Sequence, residues 1–178
     1  MLRLLEILAA PFLAVYRSRD ILSRTTWVEL RSVYAGSVLG IIWVFMGPLL
    51  MLSVYAITYA VIFRVRIETM TTAEYVLYVF CGIVPFLAFA QSLSAGTLSL
   101  SSNRSIMLNT VFPAEMVPMR SVLVGSASML TGSAILLVSD FMFSEPSITF
   151  ALVPIVMLFQ LLFTTGICWL LSLAALLV

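Results

Sequence analysis

YVLYVFCGIVPFLAFAQSLSAGTLSLSS, residues 75–102, decides the class of this protein. The stretch carries no charge and exceeds the about 20 apolar residues that cross a hydrocarbon layer about 30 Å thick. It shows no alternation of apolar and polar residues, so it is a helix and not a barrel strand. Three more segments match it: Ser37–Phe63, which ends at Arg64; Ser121–Ser139, which stops before Asp140; and Ser147–Val178, uncharged to its last residue. Composition agrees. Of the 178 residues, 62% are hydrophobic and 10% charged, and the mean hydropathy is +1.17; an average soluble domain is about 45–50% apolar and about 25% charged. Such a chain has too little polar surface to cover a core in water. A soluble enzyme, a disordered tail and a secreted disulfide scaffold are excluded. The expected fold is an all-α polytopic integral membrane protein with four spans.

The charges say more. All nine basic residues are Arg; there is no Lys and no His. A phosphate-binding loop of the Gly-Lys-Ser/Thr kind needs Lys, so any ATP chemistry belongs to another chain. No catalytic residue and no metal site is assigned, and a net charge of +1 points to no nucleic acid. Cys81 and Cys168 lie in separate apolar runs and read as buried small hydrophobes.

Arg placement sets orientation. Residues 1–36 carry Arg3, Arg17, Arg19, Arg24 and Arg31, and the 103–120 link carries Arg104 and Arg120. The 64–74 link holds Arg64 and Arg66, which Glu68 and Glu74 are placed to partner; the turn from Asp140 to Pro146 has no basic residue. The N-terminus and the 103–120 link are therefore expected in the cytoplasm. Leu4–Val15 is short and broken by Glu6 and Pro11, so it reads as retained sequence and not as a signal peptide. From Arg17 onward Arg17, Asp20, Arg24 and Arg31 share one arc, opposite Leu22, Leu30 and Val33, with Trp27 at the edge. This is the pattern of an interfacial helix. Two parts follow: an N-terminal segment 1–36 and a transmembrane domain 37–178.

Within the spans, Gly36 and Gly40 form a Gly-x-x-x-Gly, and Gly125, Ser128 and Gly132 form a second small-residue stripe; both patterns permit close helix packing. Pro48, Pro85 and Pro154 interrupt apolar runs and are expected to kink them. Tyr55 and Tyr59 lie one turn apart, and Tyr75, Tyr78, Gly82, Pro85 and Phe89 share a face. Two readings stand for these aromatics: an interfacial belt, or the lining of a pathway. Ser94, Thr97 and Ser101, with Gln91 nearby, could bond neighbouring helices or face water. No span holds an internal ionisable residue, which disfavours transport driven by ion binding. In the 103–120 link, Ser105 is a candidate N-cap for a short helix that cannot run through Pro113. Ile106, Met107, Val111 and Phe112 give that helix an apolar surface, which suits either a groove on a partner or the bilayer surface.

Three ordered motifs resemble the ABC-2 type permeases that export polysaccharides such as O-antigen, capsule and teichoic acid. Tyr34-Ala35-Gly36-Ser37-Val38-Leu39-Gly40-Ile41-Ile42-Trp43, followed by Gly47-Pro48-Leu49-Leu50, is the first; Gly82-Ile83-Val84-Pro85-Phe86 is the second. Asn103 with Phe112-Pro113-Ala114-Glu115-Met116-Val117-Pro118 is the third. The likeness covers about Trp27 to Arg120. It departs at Val33, where the family has Arg, at Gly47, where it has Asn, and at Leu108-Asn109-Thr110, where Lys is usual. The resemblance implies a homodimer of permease chains in a bacterial inner membrane, driven by two copies of a cytoplasmic ATPase that binds ATP and Mg. The link, through Asn103, Ser105, Ile106, Met107, Phe112, Pro113 and Glu115, would be the coupling helix seated on that ATPase. Trp43, Tyr55 and Tyr59, with Tyr78 and Phe89, would line the path of a lipid-linked glycan. No cofactor is expected on this chain itself. The family has six spans, so the apolar end at Val178 is expected to precede two more. An exporter of drugs or lipids, and a non-transporting membrane scaffold, are the alternatives.

Overall fold

The structure, a computed structural model, describes residues 18–63, 71–104, 107, 113–143 and 151–177. Every regular element among them is helical. Helix α1 is Arg19–Val33; a 3-10 turn, Gly40–Ile42, leads into α2, Trp43–Ile57, which runs on as a π-wound segment, Thr58–Ile62. Then come α3, Thr72–Ser102; α4, Met116–Phe143; and α5, Val153–Ala175. Four stretches are long and apolar enough to cross a membrane: Gly40–Ile62, Thr72–Ser102, Met116–Met142 and Val153–Ala175. The all-α polytopic class expected from the sequence is thus observed.

The boundaries differ from the apolar runs, for local reasons. Helix α3 starts three residues before Tyr75, because Thr71 and Glu74 form a capping box: the Thr71 amide donates to Glu74 Oε2 at 2.7 Å, and the Glu74 amide donates to Thr71 Oγ1 at 3.3 Å. Glu74 therefore caps a helix; Arg64, Arg66 and Glu68, its expected neighbours in charge pairing, lie outside the described residues. Helix α4 takes in Arg120 near its start and Asp140 near its end, so it is longer than the uncharged run 121–139. Pro118 falls in its first turn, where an amide hydrogen would have no helical acceptor. Pro154 likewise sits at the start of α5 and kinks nothing.

Helix α3 is the hub. It packs on α2, α4 and α5. Phe80, Val84 and Ala88 of α3 meet Met129 of α4, and Leu52, Leu136, Met157 and Leu161 close round them, so all four spans contribute to one layer. Elsewhere the α3–α4–α5 interface is small and hydroxylic: Ser92, Ser99, Ser126, Thr164, Thr165 and Ser172 are buried. Such residues let helices approach where lipid offers no hydrophobic drive for association. The approach is closest at glycines. A Cβ added at Gly125 would lie 2.5 Å from Ser92 Oγ and 3.0 Å from its backbone, and one at Gly132 would lie 2.8 Å from Val84 Cγ1. Gly96, which belongs to neither small-residue stripe, is pressed against the Cys168 side chain in the same way. Phe45, Leu49, Leu50 and Val54 of α2, and Ile155, Phe159 and Phe163 of α5, face outward, as lipid-facing residues should.

Gly36 lies in a turn and Gly40 at the start of the 3-10 turn. Their φ angles are +84° and +51°, in the left-handed region that glycine enters without penalty. A Cβ at either would touch nothing within 4 Å among the described residues. They shape the turn that carries the chain from α1 into α2. Cys81 corrects an expectation: it is exposed, and only Cys168 is buried.

Candidate functional site

The residues that concentrate polar chemistry gather at one end of the bundle, where α1, the end of α3, the start of α4 and the end of α5 meet. Leu22 is the one buried residue of α1, and it packs on Met116, itself fully buried. Met119, Leu123 and Trp169 complete this cluster. Leu30 is half-buried and Val33 exposed, so the apolar arc of α1 makes its buried contact through Leu22 alone. At the rim, the Arg31 guanidinium lies 4.9 Å from the Trp27 ring centre, a cation–π contact.

Beside this cluster runs a polar chain. Arg120 Nε pairs with Glu29 Oε2 of α1, their side chains only 15% and 29% exposed. Arg120 Nη2 donates to Asn103 Oδ1 at 3.1 Å, and Asn103 Nδ2 donates to the Ser99 carbonyl at 2.8 Å. One guanidinium therefore joins α1, the end of α3 and the start of α4. The sequence points to Asn103 as a site residue but to neither Glu29 nor Arg120; a carboxylate and an Arg far apart in the chain carry no spacing signal. Arg24, Thr25, Ser32 and the same three residues border a groove of about 460 Å³.

Of the expected coupling residues, the structure describes Asn103, Met107, Pro113 and Glu115. The Met107 amide donates to the Asn103 carbonyl at 3.1 Å, a helical bond at the start of the link. Pro113 opens a tight turn, closed by the Met116 and Val117 amides on the Pro113 and Ala114 carbonyls at 3.1 and 3.2 Å. The Glu115 side chain is exposed, and its carbonyl accepts the Trp169 indole N–H at 2.8 Å. Ser105, Ile106 and Phe112 lie outside the described residues.

The expected pathway residues fall in separate contacts, with Tyr55 and Tyr59 together. Trp43 donates its indole N–H to Ser37 Oγ at 2.7 Å. With Tyr34, Pro48, Met51, Gln91 and Ser128 it lines a cavity of about 280 Å³ between α2, α3 and α4. Tyr55 and Tyr59 stack with ring centres 6.2 Å apart; Tyr59 meets Tyr75 edge-on at 5.4 Å and Phe63 at 5.9 Å. Phe89 stacks on Phe163 of α5 at 6.4 Å. Tyr78 is 68% exposed. Thr97 and Ser101 bond back to their own helix, while Ser94 is exposed. On α3 it is Ser92 Oγ that reaches across to another helix, donating to the Val122 carbonyl at 3.3 Å. Among the described residues no group of His, Cys, Asp or Glu could hold a metal ion.

No protein-family model matches the chain. It is similar to the O-antigen export system permease protein RfbA of Myxococcus xanthus, 28% identical over 159 residues, which are 89% of this chain and 59% of that protein. Two proteins of the same name from Klebsiella pneumoniae are 29% and 27% identical over 150 residues, 83% of this chain and 56% of each relative. The chain thus spans less than three-fifths of the length of the curated relatives it matches. The resemblance read from the three motifs is borne out: over most of its length this chain is similar to the O-antigen export system permeases.

Proposed function

We propose that this chain acts in the permease subunit of an ATP-driven exporter that moves a lipid-linked polysaccharide across a bacterial inner membrane. The observation that carries the reading is the junction of α1 with the ends of α3 and α5 and the start of α4. Arg120 at the start of α4 bonds Glu29 of α1 and Asn103 at the end of α3, and the Glu115 carbonyl just before α4 receives the Trp169 indole of α5, which suits a segment that receives force from outside the bundle and passes it on. The similarity to permeases named for O-antigen export supports a polysaccharide as cargo. Absence of Lys from the chain agrees with an ATPase on separate subunits, two per permease dimer. In this reading the Arg-bearing end of the bundle is cytoplasmic. The link through Asn103, Ser105, Ile106, Met107, Phe112 and Pro113 then seats on the ATPase, and the aromatics of α2 and α3 line the route of the glycan.

The test is co-purification of the protein, as its gene encodes it, with an ATPase, together with surface glycan display in a deletion strain. The expected result is a stable complex, and loss of surface glycan with unchanged drug sensitivity on deletion. Phe112→Ala and Pro113→Ala are expected to abolish display. Normal glycan with altered drug sensitivity would support a drug or lipid exporter instead. No nucleotide-dependent change in any complex would support a scaffold.

A further inference from the structure

Among the described residues, helix α5 donates side-chain hydrogen bonds shorter than 3 Å to two other segments, α3 and the turn before α4. Gln160 Nε2 donates to the Pro85 carbonyl of α3 at 2.7 Å, and Trp169 Nε1 donates to the Glu115 carbonyl at 2.8 Å. The two donors are nine residues apart, about 13 Å along a helix. Below Gln160 the buried face of α5 is built of small residues, with Cys168 pressed against Gly96 of α3. Thr164, Thr165 and Ser172 return their hydroxyls to their own helix at 2.7, 2.8 and 3.1 Å, and Cys168 makes only a 3.5 Å thiol contact with the Ser92 carbonyl. The Gln160 amide and Trp169 indole bonds are the short, directional ones that run from this helix to other segments.

They hold different bodies. Gln160 holds α3, the hub of the bundle. Trp169 holds the turn at Pro113–Met116, which is the end of the link, and its ring also packs in the cluster built on fully buried Met116. Displacement of that turn therefore reaches the end of α5 through a directional bond, while the middle of α5 stays fixed to α3. We infer that α5 is a lever with Gln160 as its pivot and Trp169 as the positioning residue through which the link swings its end. This rests on the reading of the link as the ATPase seat.

The experiment uses the protein as encoded, with its co-purified ATPase, in a Cys81→Ala background with spin labels on Leu98→Cys of α3 and Leu173→Cys of α5. Both positions are exposed, at 59% each. Trapping the ATPase with Mg-ATP and vanadate is expected to change the label separation by about 1–2 Å or more, the scale of helix shifts in switching proteins. Trp169→Phe keeps an aromatic ring in the cluster and removes the donor. It is expected to retain the ATPase and hydrolyse ATP at a rate within about twofold of the parent (under 0.5 kcal/mol) while losing the change in separation. Met116→Leu disturbs the same cluster without touching the bond and should keep the change. An unaltered change with Trp169→Phe, or equal loss with Met116→Leu, would overturn the lever. A parent protein that retains no ATPase would overturn the reading beneath it.

Discussion

Thr131 Oγ1 donates a 2.8 Å hydrogen bond to the Val44 carbonyl, the acceptor that Pro48 leaves without its helical partner. A proline inside a helix lacks the amide hydrogen that the carbonyl four residues earlier would receive. Thr131 supplies that hydrogen from α4. Its hydroxyl also lies 3.2 and 3.3 Å from carbonyls of its own helix, but the shortest contact is the one across. Where no water is present, such a carbonyl needs a protein donor.

Thr131→Val, nearly the same in shape, should therefore destabilise the α2–α4 contact by about 1 kcal/mol, within the range measured for hydrogen bonds between membrane helices. In a Pro48→Ala background an amide hydrogen again serves Val44, and the cost of Thr131→Val should fall by more than half. Unfolding midpoints of the four proteins in mixed micelles form the double-mutant cycle. Equal costs in both backgrounds would show that the hydroxyl serves only its own helix.

Glycines divide by what stands beside them. Gly125→Ala and Gly132→Ala force a methyl into Ser92 and Val84, and each should cost about 1–3 kcal/mol, as overpacking does. Gly82→Ala meets nothing within 4 Å and should be neutral or slightly stabilising. Thermal unfolding in detergent ranks them; an equally damaging Gly82→Ala would contradict the close approach of α3 and α4 at Gly125 and Gly132 as the cause.

The Glu29–Arg120 pair is largely shielded from solvent. Glu29→Gln or Arg120→Gln should loosen α1 from α4, at about 1–2 kcal/mol once residual exposure is allowed for. The exchange Glu29→Arg with Arg120→Glu should recover part of the loss. Hydrogen exchange of the α1 amides reads this directly. Protection unchanged in both single variants would mean that Leu22 alone holds the helix.

Tyr59 makes three ring contacts at the end of the bundle opposite the junction. Tyr59→Leu should cost about 1–2 kcal/mol, since aromatic pairs contribute about 0.5–1.5 kcal/mol beyond their buried area. Tyr78→Leu, at an exposed position, should cost almost nothing. A comparison of melting temperatures in detergent checks both, and a costly Tyr78→Leu would place that ring in a contact absent from this chain.

Membrane class, helix number and the approximate spans were legible in the sequence, because hydropathy over about 20 residues is a local sum and the bilayer fixes the length that counts. Gly125 and Gly132 were legible as close-packing positions for a similar reason: four- and seven-residue spacings put small side chains on one face. At Gly36 and Gly40 the same spacing belongs to residues of positive φ, and spacing cannot tell these from helical glycines. Pro48 and Pro85 were visible as breaks, but not that Thr131 answers the first through Val44 while Gln160 bonds the carbonyl of the second. Those partners lie on other helices, and their choice depends on how the spans rotate about one another. The junction shows the same limit. Asn103 is identified by its motif, but Glu29, Arg120 and Trp169 become a site only when four helix ends are brought together. The sequence by itself determined which segments enter the membrane; the packing of those segments decided which few polar groups on them would meet.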